Sequence, residues 1–108
     1  MKGFGAGGLQ KLMQQANQMQ SRMKKVRDEL NEKEFEAASG GDAVKVKVNG
    51  AMKLLSLSIK PDVMASGDVE MLQDLVISAT NEAIKVARET SEAEMAKITG
   101  GPGLPGLF

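Results

Sequence analysis

A chain of 108 residues with fourteen Lys/Arg, fourteen Asp/Glu, no histidine and no cysteine fits a single domain of zero net charge. That inventory excludes a disulfide framework, thiol chemistry and the commonest transition-metal ligands. Three phenylalanines are the only aromatics, so a core must be assembled from Val, Leu, Ile, Met and Ala.

The opening stretch Met1–Gly8 (MKGFGAGG) is expected to be a flexible, glycine-rich leader, because four glycines lose much backbone entropy on ordering. A helix is predicted from about Gly8 to Lys33. Within it Leu9, Leu12, Ala16, Met19, Met23, Val26 and Leu30 recur at alternating steps of three and four, which is the heptad seam of a coiled coil. So long a helix in so short a chain is expected to reach past its own domain, and these seven residues are predicted to form the contact with a second copy. Packing of the seam on the sheet of the same chain is the competing reading.

The period then changes. Phe35–Ala38 reads as a short strand and Ser39–Asp42 as a turn, and Val44-Lys45-Val46-Lys47-Val48 alternates apolar with basic residues as a half-buried antiparallel strand does. Asn49-Gly50 predicts a two-residue type I′ hairpin. That turn pairs Val48 with Ala51, Val46 with Lys53 and Val44 with Leu55, and the return strand runs to Ile59. Val44, Val46, Val48, Leu55, Leu57 and Ile59 then share the inner face, while Lys45, Lys47, Met52, Leu54, Ser56 and Ser58 share the outer one.

Lys60-Pro61-Asp62 ends the sheet. Asp68 is placed to cap a second long helix running to about Ile98, with Leu72, Val76, Ala79, Ala83 and Val86 as its inner stripe and Leu75, Ile77 and Ile84 widening it. Gly100-Gly101-Pro102 stops that helix, and residues 100–108 read as a flexible Gly/Pro tail. The expected fold class is α+β: an α-β-β-β-α protomer with a three-stranded antiparallel sheet, a long N-terminal helix and a C-terminal helix. Residues 9–99 form one domain. No apolar stretch suits a bilayer and no signal-peptide pattern opens the chain, so a cytoplasmic location is expected.

Catalysis has little to work with. Without histidine, cysteine or tyrosine the usual nucleophiles and general bases are missing. The carboxylates Asp68, Glu70 and Asp74 sit at a helix start, where capping and dipole roles account for them. Gly3, Gly5 and Gly8 spell GxGxxG, but only two residues precede them where a strand is required. Neither a catalytic residue nor a cofactor, metal or small-molecule substrate is expected.

Charge is more informative. Residues 1–60 carry a net +5 and residues 61–108 a net −5, a split that allows one basic and one acidic face. Arg22, Lys24, Lys25 and Arg27 place four cations within six helical residues, with Lys11 earlier on the helix and Lys45 and Lys47 on a strand. They fit either a solvated surface or a patch that contacts phosphates. No aromatic lies among them for stacking on single-stranded bases.

The Met/Gln-rich opening helix, the segments SGGDAVKVKVNG (Ser39–Gly50) and IKPDVM (Ile59–Met64), the stretch DVEMLQDLVISATNEAIKVARE (Asp68–Glu89), and the closing ITGG and LPGLF (Leu104–Phe108) resemble, in this order and spacing, the YbaB/EbfC family of bacterial nucleoid-associated proteins. The resemblance implies a tight homodimer with projecting helices, double-stranded DNA as partner, and a cytoplasmic, nucleoid-associated role in nucleoid organisation or gene regulation. On that reading Arg22, Lys24, Lys25 and Arg27 are the first expected phosphate contacts, and Lys11, Lys45 and Lys47 the second. The alternative function is a protein-interaction adaptor that uses the helical seam and the hydrophobic C-terminal tail.

Overall fold

A computed structural model describes residues 6–99. The leader residues 1–5, with Gly3 and Gly5 of the GxGxxG match, and the tail residues 100–108 lie outside the described part. The order is α1 (Ala6–Glu32), β1 (Glu34–Ser39), β2 (Val44–Asn49), β3 (Leu54–Ile59), α2 (Pro61–Ala65) and α3 (Val69–Ile98). This is the expected α+β arrangement, with one addition. The helix α2 is a single turn started by Pro61, whose fixed φ suits the first helical position. It is too short to leave a periodic signal. α1 also starts two residues before the expected boundary, so Gly7 and Gly8 lie in its first turn, where the amides have no intrahelical partner to lose.

The three strands pair antiparallel in the order β1-β2-β3. α3 crosses one face of the sheet over β1 and β2. Val44, Val46 and Val48 project into this contact and are fully buried, meeting Ala79, Ala83 and Ala87, which are likewise buried. Alanine on the helix and valine on the strand let the two backbones approach closely, and Phe35 closes one end of the core. Ala87 completes a stripe whose other members were expected. Ile77 departs from expectation: it is 57% exposed, on the side of α3 turned away from β1 and β2. At its start, Asp68 accepts the amide of Met71 at 3.0 Å as the predicted N-cap. The hydroxyl of Ser39 donates to the Leu75 carbonyl at 2.6 Å and ties β1 to the same helix.

The β2–β3 hairpin differs from the two-residue turn. Val44 pairs with Ile59, Val46 with Leu57 and Lys47 with Ser56, and then Val48 pairs with Leu54. The predicted pairs of Val48 with Ala51, Val46 with Lys53 and Val44 with Leu55 do not form. The loop has three residues instead: the Met52 amide donates to the Asn49 carbonyl at 2.9 Å, and the Asn49 amide donates to the Lys53 carbonyl at 3.0 Å. The Asn49 side-chain oxygen holds the turn by accepting the amides of Ala51 and Lys53. Met52, not Asn49 or Gly50, takes the left-handed conformation, at φ 64°. This is a type I turn followed by a left-handed residue, the favoured three-residue connection. Leu55 is then the extra residue of a bulge, and Leu54, opposite Val48, joins the inner face in its place.

Gly50 is required for a different reason from turn chemistry. A Cβ there would fall on the Leu30 carbonyl, because the hairpin presses against the end of α1 and the Gly50 amide donates to the Lys33 carbonyl at 3.1 Å. The neighbour is backbone and cannot turn aside. Gly50→Ala is therefore expected to cost about 2–3 kcal/mol, the upper range for overpacking. Urea denaturation followed by circular dichroism reads it as a lower midpoint at unchanged slope.

Candidate nucleic-acid interface

α1 has 27 residues, about 40 Å of helix. Only its last turns touch the rest of the molecule: Val26 and Leu30 share crevices with Ser91, Glu94 and Met95 of α3. Residues 9–22 are exposed on every side, so the helix stands clear of the sheet as an arm. Its outer positions are glutamines, which keep the helical backbone soluble without adding charge.

The four expected phosphate contacts sit at the inner end of this arm, and all are exposed. At about 100° per residue they do not form a single stripe. Arg22 and Lys25 lie together on one side, which Lys11 continues outward. Arg27 and Lys24 lie round the other side. Arg27 borders the junction with Asn31, Gly50 and Glu92. Lys24 is bonded to Asp28 at 2.9 Å, with both groups largely in water, so the pair adds little stability and opens readily to another anion. Asp28, Glu29 and Glu32 follow the cations along the helix and reduce the positive potential toward the sheet.

Lys45 and Lys47 stand on the outer face of the sheet, opposite Ser58 and Ser56 as the alternation required. Lys47 is partly occupied, at 3.3 Å from Glu34 on the neighbouring strand. The structure thus brings Arg22, Lys25 and Lys11 onto one side of one helix, and leaves Lys45 and Lys47 as a separate group on the sheet.

The seam divides. Leu30 is buried and Val26 and Met23 are half-buried, whereas Met19, Leu12 and Leu9 are 46, 51 and 56% exposed and Ala16 is exposed. Part of the residue set expected to meet a second copy is thus used inside the protomer.

A second apolar surface was not picked out from the sequence. α3 leaves β3 uncovered, and Leu54 and Leu57 on the inner face of that strand are nearly half-exposed. Beside them Ile59, Leu72, Gln73, Val76 and Ile77 line a shallow apolar groove between strand and helix. β3 is also an edge strand with no charge between Lys53 and Lys60, whereas the other edge, β1, carries Glu34 and Glu36. Charges on an edge discourage pairing with another chain, and their absence from β3 was the legible signal.

Among the described residues no helix is long and apolar enough to cross a membrane. No group of three or more potential ligands is placed to hold a metal ion there.

The model of the YbaB/EbfC DNA-binding family matches residues 5–102. The chain belongs to this family. Among curated relatives, a nucleoid-associated protein of Clostridium novyi (strain NT) is 52% identical over 107 residues, covering 98% of this chain and 94% of the relative. A nucleoid-associated protein of Thermoanaerobacter pseudethanolicus is 48% identical, with 98% and 96% covered. An uncharacterized protein of Helicobacter pylori, HP0035, has a similar crystal structure (TM-score 0.69, 24% identity, 89% of this chain and 97% of that chain) and shows that the fold is shared.

Proposed function

We propose that the protein is a homodimeric nucleoid-associated protein that binds duplex DNA mainly through its phosphates, with a role in nucleoid organisation and gene regulation. The observation that carries this reading is a family match across nearly the whole chain, joined to exposed cations on an arm that stands clear of the body. Arg22, Lys24, Lys25 and Arg27 are the first phosphate contacts, and Lys11, Lys45 and Lys47 support them. Two arms in a dimer double the number of contacts. The sequence has no zinc-finger or helix-turn-helix signature, so we assign binding to backbone charge and duplex shape more than to base edges.

The dimer contact best supported by exposure is the β3–α3 groove. The sheet is covered by one helix over two of its three strands, and the strip left open is one strand, about 5 Å, wide. α3 itself has an unused apolar side, where Val69 and Ile77 are about 60% exposed. A second copy laying its α3 into the groove receives the same contact in return, as a two-fold interface requires. The outer seam residues Leu9, Leu12, Ala16 and Met19 are the remaining candidates for self-association.

A salt series tests the DNA reading. If about six to eight phosphates are neutralised per dimer, log K should fall with log salt at a slope of about −5 to −7, measured by fluorescence anisotropy on a duplex. Affinity indifferent to salt, or no binding even in dilute buffer, overturns it.

A further inference from the structure

The cations of the arm and those of the sheet face opposite ways. Around α1, at about 100° per residue, Val26 and Leu30 mark the side that meets α3. Arg27 and Asn31, about 90° further round, mark the side that meets the hairpin at Gly50. On α3, Ser91 and Met95 meet α1, and they stand about 100° from the Ala79, Ala83 and Ala87 stripe that meets the sheet. α1 therefore lies beside α3 on the inner side of the sheet. Arg22, Lys25 and Lys11 are about 170° from the hairpin side of α1, so their stripe points away from the sheet. The outer face of the sheet points the other way, because α3 occupies the inner one.

That outer face is basic over β2 and β3. Lys45 and Lys47 stand opposite Ser58 and Ser56. Lys53 lies opposite Asn49, whose amide donates to the Lys53 carbonyl, and Lys60 lies opposite Ala43, whose carbonyl accepts the Lys60 amide at 2.8 Å. Both lysines thus continue the outward register of Ser56 and Ser58, spanning about 20 Å along β3. Lys45, Lys53, Lys60 and both serines are exposed. Among the described residues none of these three lysines has an ion-pair partner. The acidic residues of this face, Glu34 and Glu36, belong to β1 at the opposite edge, and Asp42 and Asp62 lie outside the strands.

We propose that the β2–β3 half of the outer face binds a second DNA duplex while the arms hold the first, so that the protein bridges two segments. This rests on the DNA reading above and adds a separate surface to it. The complementarity is that of lysines spaced along a strand with hydroxyl donors between them, facing a phosphate backbone. A duplex is stiff over about 150 bp, whereas the chain measures 25 and 16 Å in its shorter directions. One duplex therefore cannot turn round the protomer to meet both surfaces. A two-fold axis preserves this property: whether it runs along the sheet normal or across it, positive groups are presented on two opposite sides of the dimer.

Bead capture tests the proposal. Full-length protein bound to a duplex on beads, washed free of excess, should retain a fluorescent second duplex in dilute buffer. The variant Lys53→Glu, Lys60→Glu should lower that retention at least about tenfold, while the protein held on the beads changes less than about twofold. Both side chains are exposed, and circular dichroism checks that the fold is kept. Bound protein that retains no second duplex overturns the proposal and leaves the DNA reading standing. Equal retention by the variant also overturns it, because two arms are then holding one duplex each. So does an equal loss of both duplexes, which means a single surface. Protein that fails to bind the bead duplex at all overturns the DNA reading as well.

Discussion

Replacing Arg22, Lys24, Lys25 and Arg27 together with alanine is expected to lower affinity for duplex DNA about a hundred- to a thousandfold near physiological salt. The dimer loses eight cations; with about half of them on phosphates, each contact releasing close to one counterion, the loss of about four contacts removes about three powers of ten and flattens the salt slope by about 4. The fold should be unaffected. All four side chains are exposed, alanine is the best helix former, and the one ion pair lost, Lys24 with Asp28, lies in water. The loss should be alike for unrelated sequences, because phosphates carry no sequence information. A companion variant, Lys85→Ala with Arg88→Ala on α3, should leave the slope unchanged. Anisotropy titrations at several salt concentrations decide the matter, and unchanged affinity in the quadruple variant removes these residues from the interface.

The second large effect concerns assembly. Leu57→Glu combined with Ile77→Glu is expected to give a monomer at micromolar concentration in sedimentation velocity, where the unaltered protein is expected to sediment as a dimer. Both residues are about half-exposed in the single chain, so neither carboxylate strains the protomer, and circular dichroism should show unchanged helix content. In a two-fold contact each carboxylate would instead be buried among leucines and brought near its own symmetry mate. An unpaired charge in such surroundings costs several kcal/mol, equivalent to at least a thousandfold in the dissociation constant. The monomer retains one arm, so its DNA slope should fall to about half. A persistent dimer would move the contact elsewhere, with the outer seam next in line.

Most of the fold could be read from periodicity. The alternation of Val44 to Val48 set one strand and its buried face, and Asp68 with the apolar stripe set α3 to its last residue. What misled was a local signal overruled by a neighbour. Asn49-Gly50 has the composition of a two-residue turn, yet Gly50 is small because Leu30 of α1 lies against it, and the left-handed position falls on Met52. That contact joins residues twenty apart, which no short-range rule detects. The resulting bulge exchanged Leu54 and Leu55 between faces.

The candidate site was legible in kind and less so in arrangement. Four cations in six residues look like a cluster in the sequence, but a helix distributes neighbours around its axis, and Lys25 joins Arg22 rather than Lys24. The heptad seam was equally clear, whereas its covering depends on where a second helix ends. The uncovered β3 face was missed because an apolar strand normally reads as core. Only the position of α3 shows that the described residues supply no lid for it.

The alanine stripe of α3 has a mechanical consequence. Ala79, Ala83 and Ala87 have no rotamers to change, and Val44, Val46 and Val48 opposite them are stiff at χ1. The joint between helix and sheet therefore has almost no compliance and acts as a fulcrum. Bending forces applied at the tip of α1 are not absorbed there, and pass to the free span of the arm beyond the end of α3.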